Sequence, residues 1–111
     1  MTTRFDPVPN TPNCVSSRAP TSDAQHSIAA LPPTDAERLK SVMLARPRTE
    51  LVEEDGAYLH FVETSWLFRF KDDIEFELED DVTHVRSASR TGYGDMGVNR
   101  KRVEAIRSEL A

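Results

Sequence analysis

Five cations crowd one stretch near the end of the chain: Arg86, Arg90, Arg100, Lys101 and Arg102. Gly92, Gly94 and Gly97, three of the four glycines, lie among them. The chemistry open to these residue types is anion recognition. A guanidinium offers a planar fork to phosphate or carboxylate. Glycine lets backbone N–H groups come close to a ligand, and a helix N-terminus adds partial positive charge. The stretch reads as a strand, a glycine loop and the first turn of a helix, with Asn99 the expected N-cap. Arg100, Lys101 and Arg102 then oppose the helix dipole, each costing roughly 0.3–1 kcal/mol where exposed. Three unfavourable charges imply compensation, and a bound anion would supply it. The expected site is Arg86, Arg90, Tyr93, Asn99, Arg100 and Arg102. The competing reading is structural: Arg100 pairs with Glu104 one helical turn on, Arg86 pairs with Glu75 across a hairpin, and Lys101 and Arg107 are solvated.

The remaining candidates carry less. Glu75, Glu77 and Glu79 alternate along one strand face and read as a solvated ladder. Asp72 and Asp73 suit ion pairs with Arg86, Arg90 or the basic residues of the last helix, and no calcium-loop spacing is present. His26, His60 and His84 are scattered, so no metal site is expected. Cys14 is the single cysteine. It would need a histidine nearby in space to act as a nucleophile, and it reads as a small buried thiol. Gly92, Gly94 and Gly97 spell the letters of a dinucleotide fingerprint without its parallel βαβ setting or the acidic strand that should follow. No Ser–His–Asp or P-loop pattern occurs. Neither a catalytic residue nor a cofactor is expected, and the chain leans away from enzymes.

The elements that must position these residues fit one domain of 111 residues. Six of the seven prolines fall in residues 1–33. This segment is expected to be an irregular arm, docked from about residue 10 through Val15, Ile28 and Leu31. Residues 34–111 read as a single α+β domain. A helix starts at Thr34, with Glu37 completing a capping box, and runs through Leu39, Val42 and Met43 to a stop at Pro47. Thr49 to Glu53 and Ala57 to Thr64 form a hairpin about Gly56. Trp66, Phe68 and Phe70 alternate with Leu67 and Arg69, as a further strand or the approach to one. Ile74 to Glu79 and Val82 to Arg90 pair about Asp80-Asp81. Phe76 then faces Val85 on the inside, while Glu77 faces His84 and Glu75 faces Arg86 on the outside. Val103, Ile106 and Leu110 give the last helix one apolar stripe, and Val98 and Val103 form a hydrophobic staple at its start. The expected architecture is an antiparallel sheet of four or five strands with both helices on one face and the sheet's aromatic residues in the core.

Charge is unevenly distributed. Residues 50–81 carry twelve acids against Arg69 and Lys71, a local charge of −10, and residues 82–111 carry six basic residues against three acids, a local charge of +3. The acidic half argues against nucleic-acid binding. No apolar run approaches the roughly 18 residues that span a bilayer. Met1 to Pro7 lacks the apolar core of a secretory signal. Both point to a cytoplasmic protein without a membrane span.

Pro12-Asn13-Cys14-Val15-Ser16-Ser17, then Phe68-Arg69-Phe70-Lys71-Asp72-Asp73-Ile74-Glu75-Phe76, are unusual strings. A third is Arg86-Ser87-Ala88-Ser89-Arg90, followed by Gly92-Tyr93, Asp95, Gly97-Val98-Asn99-Arg100 and Arg102. Together they resemble the bacterial and plastid family called domain of unknown function 1499, from about Pro12 to the last helix. The resemblance implies that residues 12–17 belong to the domain. The family carries no assigned chemistry, so it implies no substrate. The residues themselves favour a non-catalytic binding module for a small anion, such as an anionic metabolite, a lipid head group or phosphate. The alternative is a protein-interaction or assembly domain that presents its acidic strand face to a basic partner.

Overall fold

A computed structural model describes residues 3–67, 69–91 and 97–111. The chain forms β1 (Cys14–Ser16), α1 (Ala36–Leu44), β2 (Thr49–Asp55), β3 (Tyr58–Thr64), β4 (Lys71–Leu78), β5 (Thr83–Ser89) and α2 (Val98–Leu110). The five strands make one antiparallel sheet in the order β1-β5-β4-β3-β2. The β4–β5 register follows the alternation read from sequence: Phe76 faces Val85, Glu77 faces His84 and Glu75 faces Arg86. One residue of slip would turn every side chain to the wrong face, so the alternation fixes the pairing once the turn is short.

Leu59, Phe61, Ile74, Phe76 and Val85 project from the inner face and are fully buried. Leu39 and Met43 of α1 close over them, with Val103, Ile106 and Leu110 of α2. Phe61 and Phe76 meet edge to face, centroids 5.8 Å apart at 80°, a favoured arrangement of aromatic quadrupoles. Each large side chain so buried contributes roughly 1.5–3 kcal/mol. Val15 and Leu31 enter the same core from the N-terminal segment. The β2–β3 turn passes through Gly56 at φ 60°, a conformation that favours glycine.

Several local expectations need correction. Asp35, not Thr34, caps α1: its backbone is extended and its carboxylate accepts from the Arg38 N–H at 2.8 Å. Asn99 is not the cap of α2. That helix enters through Gly97 at φ 79°, and Asn99, its second residue, is fully buried. Val98 is about half exposed, so it forms no staple with the buried Val103. Of the two readings of Trp66 to Phe70, the approach to a strand holds: β4 begins at Lys71, and none of the described residues 66, 67, 69 and 70 is in a strand. Ser65 closes a turn there: its N–H donates to the Phe70 carbonyl and its own carbonyl accepts from the Arg69 N–H. Trp66, Leu67 and Phe70 are exposed, so three large hydrophobics lie outside the core, while Phe68 falls outside the described residues. The acidic ladder does not face water either. Glu75 is only 7% exposed. Glu77 accepts from Thr3 Oγ1 at 2.6 Å, the Arg4 N–H at 2.9 Å and Arg18 Nε at 2.7 Å, and Arg18 also reaches Glu79 at 3.0 Å. The N-terminal segment lies across this face, which the strand pattern alone cannot reveal.

The antiparallel order sorts the connections. The β2–β3 and β4–β5 turns share one end of the sheet, bearing Glu53, Glu54, Asp55, Glu79, Asp80 and Asp81. The α1–β2, β3–β4 and β5–α2 connections share the other, bearing Arg46, Arg48, Arg69, Lys71 and Arg90. Glu50, Glu63, Asp72 and Asp73 also lie at this second end, and Arg4, Arg18 and Lys40 pair with acids of the first, so the difference between the ends is set by the turns rather than by the charge asymmetry along the sequence.

Candidate anion-binding site

Strand alternation places Arg86 and Arg90 on the outer face of the sheet, as expected from their spacing. Helix α2 packs on the inner face, so Asn99 and Arg102 stand on the other side of the sheet from them. Among the described residues of the expected set, Arg86 and Arg90 therefore do not meet Asn99 and Arg102 at one point. Tyr93 lies outside the described residues, as do Gly92 and Gly94.

Arg102 is 6% exposed and fully engaged. Its guanidinium meets Asp72 at 2.6 Å and Glu63 at 3.1 Å, and donates to Ser87 Oγ at 3.0 Å and Asn99 Oδ1 at 2.7 Å. Asn99 in turn accepts from Ser87 Oγ at 2.7 Å and donates to Ser89 Oγ at 3.0 Å and the Asn13 carbonyl at 3.2 Å. The compensation demanded by cations at the start of α2 is internal for Arg102. Arg46 reaches the same Glu63 at 2.9 Å. Burial pushes the Glu63 carboxyl up, but Arg102 and Arg46 outweigh it and hold the pKa low. Arg100 reaches the carbonyls of Ala24 and Gln25 at 3.5 and 3.4 Å rather than Glu104, which pairs with Arg107.

On the outer face Arg90 forks onto Asp73 through bonds of 2.8 and 2.9 Å, and His60 Nε2 meets the same carboxylate at 2.7 Å. Burial raises the Asp73 pKa, yet the His60 and Arg90 hydrogen bonds more than reverse this, and the carboxyl is held far below its ordinary range. Asp72 and Asp73 are thus the ion-pair partners the sequence indicated. Arg86 differs. It is 8% exposed, makes no ion pair among the described residues, and donates only a 3.4 Å bond to the Pro7 carbonyl, leaving its Nε unpaired. Its cross-strand neighbour Glu75 likewise has an unpaired Oε2. Burial raises the Glu75 pKa despite Arg86 nearby. His60 is not placed to act as a base for Cys14. Cys14 and His60 are separated by β5 and β4, three inter-strand steps or roughly 14 Å.

Several cations gather at the basic end of the sheet. A groove of about 550 Å³ there is lined by Arg46, Arg48, Arg69 and Lys71, with Glu50 the one acid among its lining residues. Arg48 and Arg69 hold φ of 54° and 57°, left-handed backbone that is rare outside glycine and asparagine. Arg48 Nε donates to the Thr64 carbonyl at 2.9 Å. Arg48, Arg69 and Lys71 make no ion pair among the described residues. Sequence reasoning missed this groove because its residues come from two separate loops. The one signal was Arg69 and Lys71 standing alone within a run of acids.

A family model, described as protein of unknown function (DUF1499), matches residues 4–110. The chain belongs to the DUF1499 family. That match spans nearly all of the chain, including the segment that crosses the acidic strand face. No curated protein and no solved structure matches this DUF1499 chain. No described helix is long and apolar enough to cross a membrane. Among the described residues, no group of three or more His, Cys, Asp or Glu side chains could hold a metal ion.

Proposed function

We propose that this DUF1499 domain is a non-catalytic module that binds an anion at the basic end of its sheet. The observation that carries the reading is the groove walled by Arg46, Arg48, Arg69 and Lys71, three of them without an ion-pair partner among the described residues. Cations gathered in a concave site attract an anion strongly, and loops held by a rigid sheet are where binding residues concentrate. The acidic strand face supports an interaction role less well, because Arg4, Arg18 and Thr3 already occupy Glu77 and Glu79. The test is thermal unfolding in inorganic phosphate against chloride at matched ionic strength. Phosphate should raise Tm, since a ligand that binds only the folded state stabilises it by about 2.7 kcal/mol at a hundredfold excess over Kd. Arg69→Gln with Lys71→Gln should remove the shift. An equal response to chloride overturns the reading.

One observation favours a second anchoring point on the outer sheet face beside the N-terminal segment: the buried, unpaired Nε of Arg86 in the middle of β5. If an anion reaches it, Arg86→Gln should remove the phosphate response while Arg69→Gln with Lys71→Gln retains it.

A further inference from the structure

We propose that the basic end of the sheet seats on an anionic phospholipid surface, with the β3–β4 turn entering the headgroup region. The inference rests on the anion-binding reading and names the ligand: headgroup phosphates presented by a bilayer, taken by Arg48, Arg69 and Lys71.

Four observations carry it. Trp66 is 69% and Leu67 63% exposed, at the tip of a turn that Ser65 closes through its own backbone and hydroxyl. The turn is held without using these side chains, so fold stability does not explain them. Large apolar groups displayed side by side mark an interaction site. Second, the cations flank the apolar tip: Arg69 and Lys71 follow it in sequence, and Arg48 stands across the groove. An amphipathic ring with cations beside it is the composition that settles at a membrane interface, with tryptophan at headgroup depth and Lys or Arg on lipid phosphates. Third, Leu44, 50% exposed, lines the same groove from the end of α1, so the apolar surface extends beyond one loop. Fourth, the acids of the β2–β3 and β4–β5 turns stand at the far end of the sheet. An anionic surface attracts one end and repels the other, which orients the molecule with the Trp66 turn inward.

A protein partner would need a pocket shaped for the protruding turn and an acidic rim around it. A bilayer supplies a yielding apolar layer beneath a negative surface and needs neither.

The full chain suits a direct test, because Trp66 is its only tryptophan and its emission reports the environment of the turn. The chain is mixed with vesicles of phosphatidylcholine alone, or with about 30% phosphatidylglycerol, then sedimented and read by fluorescence. The expected result is co-sedimentation with the anionic vesicles, a blue shift of Trp66 emission, and loss of both as salt rises. Arg69→Gln and Lys71→Gln should each weaken binding about fivefold and together abolish stabilisation by free phosphate. Leu67→Ser, on an exposed turn, should weaken vesicle binding and shrink the blue shift while leaving the phosphate response intact. Stabilisation by phosphate without vesicle binding overturns the bilayer inference and spares the anion reading. Absence of both overturns both. Equal binding to phosphatidylcholine alone, or binding without a change in Trp66 emission, also overturns the proposal.

Discussion

At the scale of single residues, the chain shows how far a charge pattern reads without a partner. The run Arg100-Lys101-Arg102 opposes the dipole of α2, and the sequence correctly marks these cations as needing compensation. For Arg102 the compensating charges are Asp72 and Glu63, from β4 and β3. Strand register brings them together, and periodicity along one segment carries no record of which acid will lie beneath which arginine. Removing one partner from a buried pair strands the other, at a cost of about 3–5 kcal/mol. We therefore expect Arg102→Met to lower unfolding stability by at least about 3 kcal/mol in urea denaturation. A change under about 1 kcal/mol would show that the pair is not buried in solution. Cys14 was legible for a different reason. A small thiol between Asn13 and Val15 fits a packed edge strand, and it is fully buried.

Among the elements, legibility follows the regularity of the pattern. The β4–β5 hairpin alternates almost without fault, and its register was readable residue by residue. The β3–β4 turn imitates alternation, but Arg69 at φ 57° leaves the strand conformation, which no propensity signals. The N-terminal segment gave neither period, so its contacts were the least legible. It is tied internally by His26, whose ring nitrogens meet Asp23 Oδ2 and the Thr11 carbonyl, each at 2.8 Å. Burial lowers the His26 pKa, but the Thr11 and Asp23 bonds outweigh it and the net direction is upward from 6.5. A raised folded pKa gives stability that is complete below the unfolded value and fades as pH climbs through the folded one. The protein should therefore lose Tm as pH rises from 6.5 through the raised His26 value. His26→Gln should flatten that slope, and an unchanged slope would remove His26 as its cause.

For the whole molecule, acid is the more general stress. Asp23, Glu63, Asp73 and Glu77 all hold their pKa below the ordinary carboxylate range. Their contribution is complete above that range and disappears as pH falls through the lowered values. Glu75 runs the other way. Its raised pKa gives stability that is present below 4.5 and lost as pH rises through the folded value. Stability should thus fall steeply below about pH 4. Glu75→Gln should stabilise the protein near neutrality and leave it unchanged near pH 3, which paired melting curves at the two pH values would check. Reversing that order would mean that Arg86, not burial, governs Glu75.

The order β1-β5-β4-β3-β2 also leaves the sheet with two borders, and each is guarded. On one side β1 is three residues long, and its outward backbone groups are taken by the chain itself: Ser16 N–H donates to the His26 carbonyl, and Ile28 N–H to the Ser16 carbonyl. On the other, β2 carries Glu50, Glu53, Glu54 and Asp55, and its register breaks between Leu51 and Glu53. A regular, uncharged border is a template on which foreign strands polymerise, and irregular, like-charged or occupied borders are not. Recruitment of a peptide by strand addition, and fibril growth from the native state, are both disfavoured at these borders.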